Sequence, residues 1–300
     1  MDSIPQNRCK FRKIYEYNAI FAEKFNTIKM RILITNDDGY KAKGIKILAE
    51  IMKEFGEVTV IAPKHHQSGM SMALSLGFKP IAHKDLGNGW HYVDATPASC
   101  VKFGLNTMFI DNYPDVVVSG INHGSNASVA SCYSGTLGAA AEAALNGIPA
   151  IGVSLDSLRP DPDFSGVAEF FGEIFSKLMK ETPQKHGVYY NINFPDIPAN
   201  EIKGTKVGYQ GAGRWIKEYQ KWDLGHYAKY GITPEMVGQS SNPQVEDGED
   251  MYMMVGEFED DPRNSCEADH LLVRNGYISV VAHNIDCTDS AECDRIRNLF

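Results

Sequence analysis

Short runs of β-forming apolar residues recur between residues 30 and 200, and amphipathic stripes with helical spacing separate them. The runs are Arg31–Ile34, Val58–Ala62, Asp115–Ser119, Pro149–Ser154 and Val188–Asn193. Between the first two, Ile45, Leu48, Met52 and Phe55 recur at steps of three and four. This predicts a helix over Gly44–Phe55, stopped by Gly56. A strand, a helix and a strand in so few residues form a βαβ unit, and the connection is long enough for the crossover that parallel strands need. Continued alternation predicts a Rossmann-like layered α/β/α core with a mostly parallel sheet.

Other segments fill in this frame. Leu74, Leu76 and Phe78 alternate, which predicts a strand, and Gly87-Asn88-Gly89 predicts a hairpin turn before a strand at His91–Val93. Thr96-Pro97 caps a helix carrying Val101, Leu105 and Met108. An alanine-rich helix runs over Thr136–Asn146, and Val167 to Met179 mark a longer amphipathic one. After about residue 200 the composition changes. Tyr209–Trp222 is rich in glycine and aromatics, and Gln244–Asp261 is acidic around a strand-like Met251–Val255. Gly276–Ala282 returns as a strand. Residues 201–300 are therefore expected to form a β-rich arm and a strand that rejoins the sheet, within the same domain as the core at 30–200.

Composition excludes several classes. The formal net charge of −9 argues against a protein that grips duplex nucleic acid. No apolar run approaches the roughly 20 residues of a membrane helix. Residues 1–29 lack an apolar signal-peptide core and read as an extension, or a misassigned start, ahead of the first strand. The six cysteines contain no Cys-x-x-Cys pair, so reduced thiols in a cytoplasm are expected. The Gly208/Gly211/Gly213 series does not open a helix directly after a buried strand, which disfavours a dinucleotide site.

The loops that close the strands carry the chemistry. In open parallel sheets, ligands bind beyond the carboxyl ends of the strands. The first loop offers Asp37 and Asp38, the second Ser68, and the third Asn122 and Asn126. Carboxylates, a hydroxyl and an amide carbonyl make an all-oxygen set suited to one hard divalent cation, Mg²⁺ or Mn²⁺. Ser134-Gly135-Thr136 opens the alanine-rich helix, whose free N–H groups and positive dipole end attract phosphate. A cation beside an anion cradle is equipment for phosphoryl hydrolysis.

Four stretches carry a resemblance to the survival protein E (SurE) family of metal-dependent nucleotidases. They are ILITNDDGYKAKGI (32–45), VIAPKHHQSGMS (60–71), ATPASCVKFGL (95–105), and PDVVVSGINHGSN with YSGTLGAAAEAALNGIPAIGVSL (114–155). The resemblance implies Asp37, Asp38, Ser68 and Asn122 as metal ligands. It places Asn126 and Ser134, with Gly135 and Thr136, at the substrate phosphate. It implies hydrolysis of nucleoside 5′-monophosphates, with broader phosphatase or polyphosphatase activity, in a cytoplasmic homodimer or homotetramer built through the C-terminal arm. Asp37, Asn126 and Ser134 are the candidate catalytic residues, with either Asp37 or water as the nucleophile. Where many members carry Gly-Asp-Asp after the second asparagine, this chain has Ser128-Val129-Ala130. Asp269 corresponds loosely to a family aspartate near the site. The competing reading is a non-catalytic protein that senses nucleotide or metal on the same fold. A haloacid-dehalogenase-like phosphatase would want Asp-x-Asp where this chain has adjacent aspartates.

Overall fold

The structure is a computed structural model that describes residues 29–300 apart from 78, 79, 184, 230 and 238; the extension at 1–28 lies outside the described residues. In chain order the first half comprises β1 (Met30–Thr35), α1 (Lys43–Met52), β2 (Gly56–Pro63), β3 (His83–Gly87), β4 (Trp90–Val93), α2 (Pro97–Thr107) and β5 (Val116–His123). A 3₁₀ turn at Ser128–Tyr133 leads into α3 (Gly135–Leu145), followed by β6 (Ala150–Asp156), α4 (Ser165–Lys180) and β7 (Val188–Pro195). The remainder comprises β8 (Thr205–Val207), β9 (Gly213–Ile216), β10 (Tyr219–Lys221), α5 (Leu224–Lys229), β11 (Tyr252–Met254), β12 (Glu257–Asp260), α6 (Asp269–Arg274), β13 (Ile278–Asn284) and α7 (Ser290–Arg297).

Among the described residues nine strands form one sheet in the order β3-β4-β2-β1-β5-β6-β7-β13-β8. Six neighbours, β4 through β7, run parallel. The returning strand β13 lies antiparallel to β7, with Ser279 opposite Asn193, and β8 pairs parallel to it. The chain leaves β1 toward β2 and β4 on one side, then crosses back to β5, β6 and β7 on the other. The order therefore reverses between β1 and β5, the topological switch point at which doubly wound sheets bind ligands.

Helices cover both faces. On one, Ile45, Leu48 and Met52 of α1 join Val167, Phe171 and Phe175 of α4 over Ile32, Ile34, Val118 and Val153. On the other, Val101 and Leu105 of α2 and Ala139, Ala140 and Ala143 of α3 pack on Leu33, Ile61 and Val117. The small residues of α3 allow close approach. A methyl at Gly138 would stand 1.9 Å from the Ser71 carbonyl oxygen, and one at Gly152 of β6 would stand 2.4 Å from Leu137.

The predicted Gly-Asn-Gly turn joins β3 to β4, and Asn88 there has φ of 54° between two glycines that also have positive φ. Thr96 caps α2 by accepting from the Ser99 N–H, with Pro97 in the first turn. Two expectations change. Leu74 and Leu76 are not in a strand, and Leu76 is exposed. Instead the Thr96 hydroxyl donates to the Ala73 carbonyl at 2.6 Å and the Ser75 N–H donates to the Ser99 hydroxyl at 2.8 Å. Side chains at the start of α2 thus replace a ladder. Met108 lies just past the end of α2 and is partly exposed rather than core. Strands β9 to β12 form two separate two-stranded ribbons, β9 with β12 and β10 with β11.

Candidate active site at the switch point

Strand β1 is fully buried through Ile32, Leu33 and Ile34, and the chain leaves it as Asn36-Asp37-Asp38-Gly39. Asn36 folds this exit into a tight turn: its amide donates to the Gly39 carbonyl at 3.1 Å and its Oδ1 accepts from the Gly39 N–H at 3.2 Å. Gly39 has φ of 95°, a conformation that a side chain would strain. The turn delivers two adjacent carboxylates to the sheet edge.

Asp37 is 2% exposed and bound from three sides. The Thr136 hydroxyl donates to its Oδ1 at 2.6 Å, and the Thr136 N–H donates to its Oδ2 at 3.2 Å. The Gln67 N–H donates to its main-chain carbonyl at 2.7 Å. Loop 64–71 and the N-terminus of α3 therefore meet on one aspartate. Gly135 is required by that approach, since a methyl there would lie 2.9 Å from the Asp37 Cβ and 3.0 Å from Oδ2. Asp38 turns toward β5: its Oδ2 accepts from the His123 N–H at 3.2 Å, and its Oδ1 stands 3.5 Å from His66 Nδ1.

Burial raises the pKa of Asp37 above the usual carboxylate range against the opposing hydrogen bond from Thr136. Burial and the neighbouring charge of Asp37 push Asp38 up to about 7. Two carboxylates so close resist joint ionisation unless a cation balances them. Among the described residues no group of three or more His, Cys, Asp or Glu side chains is disposed to hold a metal ion. A cation on Asp37 and Asp38 would therefore complete its shell with neutral oxygens. Asn122 is buried and donates its Nδ2 to the Gly124 carbonyl at 2.8 Å, which leaves Oδ1 for such a role. Ser68 is exposed in the loop whose preceding residue, Gln67, is bonded to Asp37. The donor set fits a hard dication.

The residues at the start of α3 are also bonded within the protein. Ser134 caps α3, its hydroxyl accepting from the Leu137 N–H at 3.1 Å, and Thr136 serves Asp37 as much as any ligand. Asn126 is 5% exposed, and its Nδ2 donates to the Ser154 hydroxyl at 2.8 Å. Asp269 is fully buried. It accepts from the N–H of Ser128 at 3.0 Å on both oxygens and from the N–H of Gly211 at 2.9 Å. It thus ties the turn after Asn126 to the root of the arm. Gln67, His123, Ser154, Asn191 and Asn193 also hold these loops. The one sequence signal for the last two is an Asn-x-Asn pair inside an apolar strand.

A doubly wound α/β fold with an acidic pair at its switch point, braced by a helix N-terminus, is an arrangement suited to a ligand that carries a phosphate ester. Residues 32–217 match the family model described as survival protein SurE. The chain belongs to the SurE family. It is 37% identical over 263 residues to a protein named 5′-nucleotidase SurE from Cytophaga hutchinsonii, covering 87% of this chain and 93% of that one. It is 39% identical over 222 residues to the 5′-nucleotidase SurE of Syntrophobacter fumaroxidans, covering 72% and 87% respectively. The crystal structure of the SurE protein from Aquifex aeolicus superposes with a TM-score of 0.72 at 30% identity, covering 89% of this chain and 98% of that one.

Proposed function

We propose that this protein is a 5′-nucleotidase that uses a divalent cation to hydrolyse nucleoside 5′-monophosphates to nucleoside and phosphate. One observation carries the reading: the two carboxylates at the end of β1 meet the start of α3 through Thr136 and the end of β5 through His123. Relatives bearing the name 5′-nucleotidase support the choice of substrate.

Asp37, Asp38, Ser68 and Asn122 would hold Mg²⁺ or Mn²⁺, which supplies Lewis-acid polarisation of a phosphoryl oxygen. Thr136 orients Asp37 by donating to both of its oxygens, and those bonds favour the charged form against the opposing effect of burial. The Thr136 and Leu137 N–H groups are taken by Asp37 and by the Ser134 hydroxyl, so the Gly135 N–H, the Ser134 hydroxyl proton and the Asn126 amide would stabilise the charge that grows on the phosphoryl oxygens in the transition state. With either Asp37 or water as the nucleophile, the P–O bond to the nucleoside breaks and the net reaction gives its departing oxygen a proton from water.

The exposed Trp215, Tyr219, Tyr252 and Met254 support a role for the arm, residues 201–300, in joining subunits into a homodimer or homotetramer. No helix among the described residues is long and apolar enough to cross a membrane. A cytoplasmic setting and wider action on other phosphomonoesters or short polyphosphate belong to the same proposal. The test is phosphate release from a panel of nucleoside 5′- and 3′-monophosphates and polyphosphate with Mg²⁺, Mn²⁺ or EDTA. Chelator-sensitive release from 5′-monophosphates is expected. Nucleotide binding without release under every metal would instead indicate a sensing protein.

A further inference from the structure

The segment after β5 is held in an unusual way. Asn126 lies outside any strand, yet both of its main-chain polar groups are occupied by side chains. Its N–H donates to Asn193 Oδ1 at 2.8 Å, and its carbonyl accepts from Asn191 Nδ2 at 2.9 Å. Its own Nδ2 donates to the Ser154 hydroxyl at 2.8 Å. Asn193 Nδ2 donates in turn to Asn191 Oδ1 at 2.9 Å, which locks the two asparagines to each other. Ser154, Asn191 and Asn193 are all fully buried.

The placement follows from strand geometry. Alternation along β7 puts residues 191 and 193 on one face, while Ile192 and Phe194 enter the apolar core on the other. Ser154 of β6 lies opposite Asn193 in the parallel register. Two amide side chains in a central strand are poor choices for stability, because a buried amide that loses its partner costs about 1–3 kcal/mol. Apolar residues would fill the space without that liability. What the polar residues add is a defined position and rotamer for one loop asparagine.

We propose that Ser154, Asn191 and Asn193 are positioning residues for Asn126, fixing its backbone and amide so that the remaining Nδ2 proton is set as a donor before a phosphoester arrives. This rests on the reading that Asn126 contacts the phosphoryl group. Preorganised donors act only when their geometry is held by supporting bonds, and losing one such support costs about 10–100-fold in activity.

The experiment compares Ser154→Ala, Ser154→Thr, Asn193→Ala and Asn126→Ala, each alone and Ser154→Ala combined with Asn126→Ala. Turnover of a nucleoside 5′-monophosphate with Mn²⁺ is read beside thermal unfolding and calorimetric affinities for Mn²⁺ and for inorganic phosphate. Ser154→Ala should lower kcat about 10–100-fold with Mn²⁺ affinity unchanged. Ser154→Thr, which keeps the hydroxyl, should recover most of it. Combined with Asn126→Ala, the serine variant should add no further loss. Additive losses, or wild-type kcat and phosphate affinity in both Ser154→Ala and Asn193→Ala, would overturn the proposal. So would a fully active Asn126→Ala, which leaves the nucleotidase reading intact. Should the wild type release no phosphate, that reading alone fails. The positioning role then stands or falls on whether Ser154→Ala weakens phosphate binding and Ser154→Thr restores it.

Discussion

The Thr136 hydroxyl donates to Asp37 Oδ1 at 2.6 Å while the N–H of the same residue donates to Oδ2 at 3.2 Å. One residue, in the first turn of α3, thereby grips both oxygens of the first aspartate after β1. The pair links the proposed cation site to the proposed phosphate cradle. Thr136→Ser keeps both donors and should retain most activity. Thr136→Val keeps the shape and the N–H but loses the hydroxyl, and should lower kcat/KM about 10–100-fold with weaker Mn²⁺ affinity. Steady-state kinetics and metal titration of the two variants check this; equal activity in both would remove Thr136 from the site.

Glycines 135 and 138 answer to different demands three residues apart. A methyl at Gly135 meets Asp37 Cβ at 2.9 Å and Oδ2 at 3.0 Å, so Gly135→Ala should displace the carboxylate and cost about tenfold or more in activity. A methyl at Gly138 meets the Ser71 carbonyl at 1.9 Å, a main-chain atom that has little room to retreat. Gly138→Ala should therefore lower stability by about 1–3 kcal/mol. Chemical denaturation and kinetics on both variants separate the two effects.

Much of this site was legible in the sequence because it lies at strand ends. An apolar run that stops at Asn-Asp-Asp-Gly has one place to put its carboxylates, and the βαβ order puts three such loops on one edge. That topology predicts loops sharing one edge; the particular bonds of Asp37 with Thr136 and of Asp38 with the N–H of His123 are visible only in the folded chain. Leu74 and Leu76 misled because alternation reports a half-buried face only where a neighbouring strand exists, and here the segment is bonded to the cap of α2. The Asn191–Asn193 brace stayed hidden for a related reason. Its partner, Asn126, is 65 and 67 residues away in sequence, and local pattern cannot register a contact at that separation.

Outside the site, Lys102 of α2 donates to Glu142 of α3 at 2.7 Å, and Glu142 is 1% exposed. The Asn146 amide also donates to that carboxylate at 3.0 Å. Removing the lysine leaves a buried carboxylate short of a partner, which is more costly than losing the pair as a unit. Lys102→Met should destabilise the protein by about 1–3 kcal/mol. Adding Glu142→Gln should recover part of that loss, with activity unchanged throughout. Denaturant unfolding of the two single variants and the double variant measures the coupling.

The acidic pair makes stability depend on pH and on metal together. In the folded chain burial and the charge of Asp37 raise Asp38 from 3.8 to about 7, and burial raises Asp37 as well. The folded state then holds protons that the unfolded chain has released, so stability falls as pH rises between those values. The contribution is complete below about 3.8 and is lost once pH passes about 7. A divalent cation binds the ionised pair, so it should restore what deprotonation removes. Melting temperatures in EDTA, compared between wild type and Asp38→Asn, should converge near pH 4 to 5 and separate as pH rises to about 8, with the variant the more stable. Mn²⁺ should raise the wild-type melting temperature much more at about pH 8 than at about pH 5, and should do little for Asp38→Asn. A metal effect of equal size at both pH values, or one that survives in Asp38→Asn, would place the cation elsewhere in the protein.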